Sequence, residues 1–202
     1  GAGDGVVYSN LILHWGSDYS TKRRRTVHFG FRSFGGDLFP YVLGLHRRGD
    51  VTAHLGEAAS AAWREHHRLY AVECDTLEAV FRAAIAGDAE AFRQGVVRLH
   101  PGPRHREVCL ILLSKLARKL CFDGHPERPG YGGDFTQERE LAPRFTSDDL
   151  ELLWQRFVPI DEVLLAPGGQ EYVPGYQSGP MSYRFESMPE DLSLEGFLAG
   201  WD

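Results

Sequence analysis

The feature that most constrains the fold is a pair of short segments, residues 6–14 and 24–32, separated by a small polar turn. The first is mainly apolar and ends on His14, and the second opens on a basic cluster that includes Arg25. β-Branched and aromatic residues in both segments favour strands. Two strands paired around this turn would bring His14 and Arg25 to the same end of a sheet.

Strand alternation predicts which side chains share a face with these two residues. Successive residues of a strand point to opposite faces. A neutral imidazole is a common metal ligand, and the planar guanidinium of arginine can hold a carboxylate through two parallel bonds. The alternative interpretation of the two segments is a surface hairpin in which His14 is only hydrogen-bonded and the basic residues are solvated. The predicted faces are Tyr8, Asn10, Ile12 and His14 on the first strand, and Arg25, Val27, Phe29 and Phe31 on the second.

The same segment carries a resemblance to a known family. Gly3-Asp4 opens it ten positions before His14, Ser20-Thr21 follow the turn, and Arg25 comes eleven positions after His14. Over residues 3–32 this pattern resembles the C-terminal strands of the phytanoyl-CoA dioxygenase family. Its members are Fe(II)- and 2-oxoglutarate-dependent oxygenases built on a double-stranded β-helix. The resemblance implies that His14 is a catalytic metal ligand, the second histidine of a two-histidine, one-carboxylate iron site. It also implies that Arg25 binds the far carboxylate of 2-oxoglutarate.

The expected activity is therefore that of a dioxygenase hydroxylating a small-molecule substrate, with Fe(II) as cofactor and 2-oxoglutarate as cosubstrate. Related folds also halogenate, desaturate or cyclise their substrates, so the oxidative outcome stays open. In the family, a His-x-Asp or His-x-Glu pair lies well upstream of the second histidine, and only Gly1 to Leu13 precede His14 here. We therefore expect an upstream segment of a longer protein to supply the first two iron ligands.

Two other histidine groups lie downstream of His14. The adjacent His66 and His67 are expected to diverge around a helix and to make a poor metal pair. His105-Arg106-Glu107 matches a His-x-Glu ligand pair, but it opens a helix and follows His14 in the chain. A rival function is a non-catalytic binding or scaffold protein, in which the strands are a barrel remnant and the helices of residues 75–122 form an interaction module.

The predicted fold class is α+β, and it divides the chain into three parts. Residues 1–45 would hold the C-terminal strands of a double-stranded β-helix, or jelly roll. Residues 46–160 would form a helical region packed on that core, and residues 161–202 an irregular but ordered C-terminal strap.

Helical periodicity and capping residues mark the helical region. Residues 58–70 are rich in Ala, Glu and Arg, and a capping box is predicted to start another helix at Asp75, ending at Gly87. Asp88 would cap a second helix and complete a helical hairpin. Residues 107–122 form the strongest predicted helix, and a further helix is predicted to be capped by Thr146 or Ser147.

Composition narrows the possible partners and compartment. The net charge of −6 argues against nonspecific nucleic-acid binding. No apolar run reaches the roughly 20 residues that span a bilayer, so no membrane partner is expected. Three cysteines without paired spacing favour a reducing compartment, and we expect a cytoplasmic protein. Oligomeric state and substrate stay open.

Overall fold

The computed structural model describes residues 52–99, 103–122, 137–169 and 190–201, which belong to one compact unit. Short 3-10 turns precede the first and the last two helices: Thr52–His54, Ala142–Arg144 and Glu190–Leu192. The α-helices of these ranges are α1 (Glu57–Ala86), α2 (Ala89–Leu99), α3 (Pro103–Cys121), α4 (Gln137–Leu141), α5 (Ser147–Leu165) and α6 (Leu194–Ala199).

The long helix α1 begins after Gly56 and ends at Gly87, as the sequence predicted for its C-terminal stop. Gly87 has φ +71°, a left-handed conformation that glycine adopts without steric cost. The backbone N–H of Gly87 donates to the carbonyl of Ala84, and that of Asp88 donates to the carbonyl of Ala83. This pair of bonds is a Schellman motif, which satisfies carbonyls at the end of a helix.

The predicted helix start at Asp75 is wrong, because α1 runs through this position without interruption. The Thr76 hydroxyl donates to the carbonyl of Val72 one turn earlier instead of accepting a bond as a cap. The Asp75 carboxylate accepts a bond from Arg144, which lies 69 positions away in the chain. A residue with capping chemistry can stay inside a helix when its side chain finds such other partners.

The helices α1 and α2 form the predicted hairpin. The Asp88 carboxylate accepts a bond of 2.9 Å from the backbone N–H of Ala91, which confirms Asp88 as the cap of α2. A Cβ added at Gly95 would lie 2.3 Å from Cγ2 of Val80. Glycine at this position therefore lets the two helices approach more closely than any larger residue would allow.

The helix α3 begins at Pro103, four residues before the predicted start, and its apolar run from Cys109 to Leu113 is buried. Burial on consecutive positions means that neighbours cover α3 on more than one side, as the run predicted. Proline is well suited to a first helical position because the missing N–H would have no intrahelical partner there.

The helix α5 opens on a capping box. The Thr146 hydroxyl accepts from the backbone N–H of Asp149, and the Asp149 carboxylate accepts from the backbone N–H of Thr146. This result confirms the first of the two predicted caps. The apolar stripe of α5 continues to Leu164, and the helix contains Pro159.

The C-terminal helix α6 packs into the main core through its buried apolar residues. The Ser193 hydroxyl caps this helix by accepting from the backbone N–H of Gly196. Aromatic rings from α1, α2, α5 and the α6 region meet here with centroids 5.0–6.3 Å apart. We call this cluster the aromatic end: Phe81, Phe92, Phe157, Phe197 and Trp201.

The predicted α+β fold class is wrong for the part of the chain that the structure describes. Its regular elements are helices, and residues 52–99, 103–122, 137–169 and 190–201 contain no strand. The physical reason is the spacing of buried apolar residues, which recur every three or four positions, as Leu153, Phe157, Ile160 and Leu164 do in α5. The strands predicted at residues 6–14 and 24–32 lie outside the described residues.

None of the described helices is long and apolar enough to cross a membrane.

Candidate functional site

The two residues predicted to hold iron and 2-oxoglutarate, His14 and Arg25, both lie outside the described residues. Their roles stay predictions. Within the described ranges, no group of three or more His, Cys, Asp or Glu side chains is placed to hold a metal ion.

The downstream histidine groups lie on helices, as predicted. His66 and His67 are neighbours on α1, where successive side chains point about 100° apart. The ring of His67 packs on Trp63 with a centroid distance of 3.8 Å. The backbone of residues 105–107 forms part of the first turns of α3. The prediction that His105 and Glu107 lie at a helix start is therefore confirmed.

The described part of the chain places polar groups inside its core. The first is Glu73 of α1, which is only 4% exposed. Its carboxylate accepts a bond of 2.5 Å from the side-chain amide of Gln137 on α4, which is fully buried. A buried carboxylate is stabilised by such donors because it has lost its hydration. The bond therefore ties the short helix α4 to the middle of α1.

The second polar contact joins α3 to α5. The Arg118 guanidinium donates to the Asp161 carboxylate, and the two side chains are 12% and 6% exposed. The same guanidinium lies 5.7 Å from the ring centroid of Trp154 and 5.9 Å from that of Phe122. Both distances allow a cation–π attraction. We call the Arg118–Asp161 pair the polar clamp.

A third polar group, at the surface, fixes the turn before α5 against α1. Arg144 donates to the carboxylates of Asp75 and Glu78, each at 2.9 Å. Arg82 donates to the backbone carbonyl of Arg144 at 2.6 Å. The bonds from Arg144, and then from Arg82, lower the pKa of Glu78. Because this folded-state pKa is depressed, the contribution to stability is present above the ordinary pKa of 4.5 and is lost as the pH falls.

Neither a family model, a curated protein nor a solved structure matches this chain.

The three cysteines are free and have raised pKa values. Burial raises the pKa of Cys74 and that of Cys121 to about 12, and it raises the pKa of Cys109 well above its ordinary value. A neutral thiol is a weak nucleophile and a weak metal ligand. Because their folded-state pKa values are raised, the contribution of Cys74 and Cys121 to stability is present below pH 9 and is lost as the pH rises toward 12.

Sequence reasoning missed Glu73, Gln137 and Asp161 as buried polar residues, and it missed Arg118 as the partner of Asp161. Two of them can be recognised from their spacing to buried apolar residues of the same helix. Asp161 stands four positions after the buried Phe157, and Glu73 stands four positions before the buried Leu77. An acidic residue on the apolar stripe of a helix predicts a buried partner, because a lone buried carboxylate is costly.

Proposed function

We propose that this protein is a Fe(II)- and 2-oxoglutarate-dependent dioxygenase of the phytanoyl-CoA dioxygenase type that hydroxylates a small molecule. The observation that supports the proposal is the joint spacing of Gly3-Asp4, His14 and Arg25. In this proposal, O2 is the oxidant, and bound Fe(II) and 2-oxoglutarate would supply the chemistry that activates it.

The donor chemistry of the two proposed residues suits these groups. The His14 imidazole is proposed to bind Fe(II) through a neutral ring nitrogen, as in other facial iron sites. Arg25 is proposed to hold the far carboxylate of 2-oxoglutarate through its planar fork, which stays charged at all physiological pH values. Together they would bind and orient the cosubstrate without taking part in a proton transfer.

The role of His14 is tested by His14→Ala in the intact protein. We expect loss of Fe(II) binding in an anaerobic titration and loss of 2-oxoglutarate consumption, with an unchanged circular dichroism spectrum. His54→Ala is the matched control, because His54 is an exposed histidine in the turn before α1. Iron affinity equal to that of the wild type in His14→Ala would overturn the proposal.

The role of Arg25 is tested by comparing Arg25→Ala with Arg24→Ala. Loss of a charged, two-bond partner of the carboxylate should weaken 2-oxoglutarate binding by roughly 2–5 kcal/mol. The measurement is the KM for 2-oxoglutarate with Fe(II) saturating. If Arg24→Ala raises this KM and Arg25→Ala does not, the assignment is shifted by one residue.

A non-catalytic binding or scaffold protein is the second candidate, and one feature of α1 favours it. Among the described residues, the main core includes α1 only from Leu77 onward. The preceding turns carry Trp63, which is partly exposed, and Val72, which is 36% exposed. An amphipathic helix can bind another protein by laying its apolar face into a groove on that protein.

One experiment on the intact protein separates the two candidates. Fe(II) is titrated anaerobically, oxygen is admitted, and the consumption of 2-oxoglutarate is followed. The dioxygenase predicts saturable iron binding and decarboxylation that disappears in His14→Ala. The scaffold predicts neither iron binding nor decarboxylation, with the same helical content in wild type and variant.

A further inference from the structure

We draw no further inference here: the strongest candidate, the face of the first turns of α1 that carries Trp63 and Tyr70, carries nothing because the described part of the structure does not show what covers it.

Discussion

The aromatic end and the polar clamp both join α5 to its neighbours, but they rely on different interactions. At the aromatic end, Phe157 lies 5.9 Å from Phe81 and 5.3 Å from Phe197, measured between ring centroids, and it is fully buried. One turn further along the helix, Asp161 is also buried, and its carboxylate accepts from the guanidinium of Arg118.

This difference decides how each region responds to change. Apolar burial is non-directional, so the aromatic end gains from every ring that leaves water and can keep part of its contacts when one ring is lost. An ion pair in the interior balances a large desolvation cost against one attraction. The free energy of unfolding should therefore fall most when only one of the two partners is removed, and less when both charged residues are replaced together.

The largest expected effect is at the aromatic end. Phe157→Ala removes a fully buried ring that contacts three other rings, and it should lower the free energy of unfolding by about 4 kcal/mol. Leu152→Ala on the same helix is the matched control, because Leu152 is 45% exposed and its loss should change stability by about 0.5 kcal/mol or less. Denaturant unfolding followed by circular dichroism measures both, and equal effects would contradict the assignment of Phe157 to the core.

The polar clamp should show the next largest effect and a different pattern. Asp161→Leu removes the buried carboxylate that accepts from Arg118 and should lower the free energy of unfolding by about 3 kcal/mol. The double variant Arg118→Met with Asp161→Leu removes both charges and should recover most of that loss, because neither desolvated charge remains. The single variant Arg118→Met completes the comparison. If the double variant loses as much stability as Asp161→Leu and Arg118→Met lose in sum, the two residues do not act as a pair.

The smallest expected effect is at the bond between α1 and α4. Gln137→Leu removes the amide that donates to Glu73 and should cost about 2 kcal/mol, since the carboxylate stays buried with one donor fewer. The variant Glu73→Gln with Gln137 retained is the control, because it keeps a hydrogen-bonding group of similar shape without the charge. If Gln137→Leu lowers the free energy of unfolding by more than Phe157→Ala does, this polar contact contributes more to stability than the Phe157 ring.

The local elements were largely predictable, and the interactions between distant residues were not. Gly87, Asp88 and Thr146 were recognised as helix boundaries because their backbone and side-chain chemistry acts on residues three or four positions away. Asp75 has the same capping chemistry, but its partner Arg144 lies far along the chain and the helix continues through it. The proposed site at His14 and Arg25 stays a prediction from the sequence, because both residues lie outside the described ranges.

The sequence by itself determined where the helices α2 and α5 begin and which apolar stripes of α3 and α5 are buried, since helix caps and the 3.6-residue period are local properties. It did not determine the fold class: the predicted α+β class rested on strands at residues 6–14 and 24–32, which lie outside the described ranges, and the described residues form helices and no strand. Only the tertiary structure decided that Asp161 pairs with Arg118 and that Glu73 accepts from Gln137. These pairs are separated by 43 and 64 positions, and packing of the helices alone brings such residues within hydrogen-bonding distance.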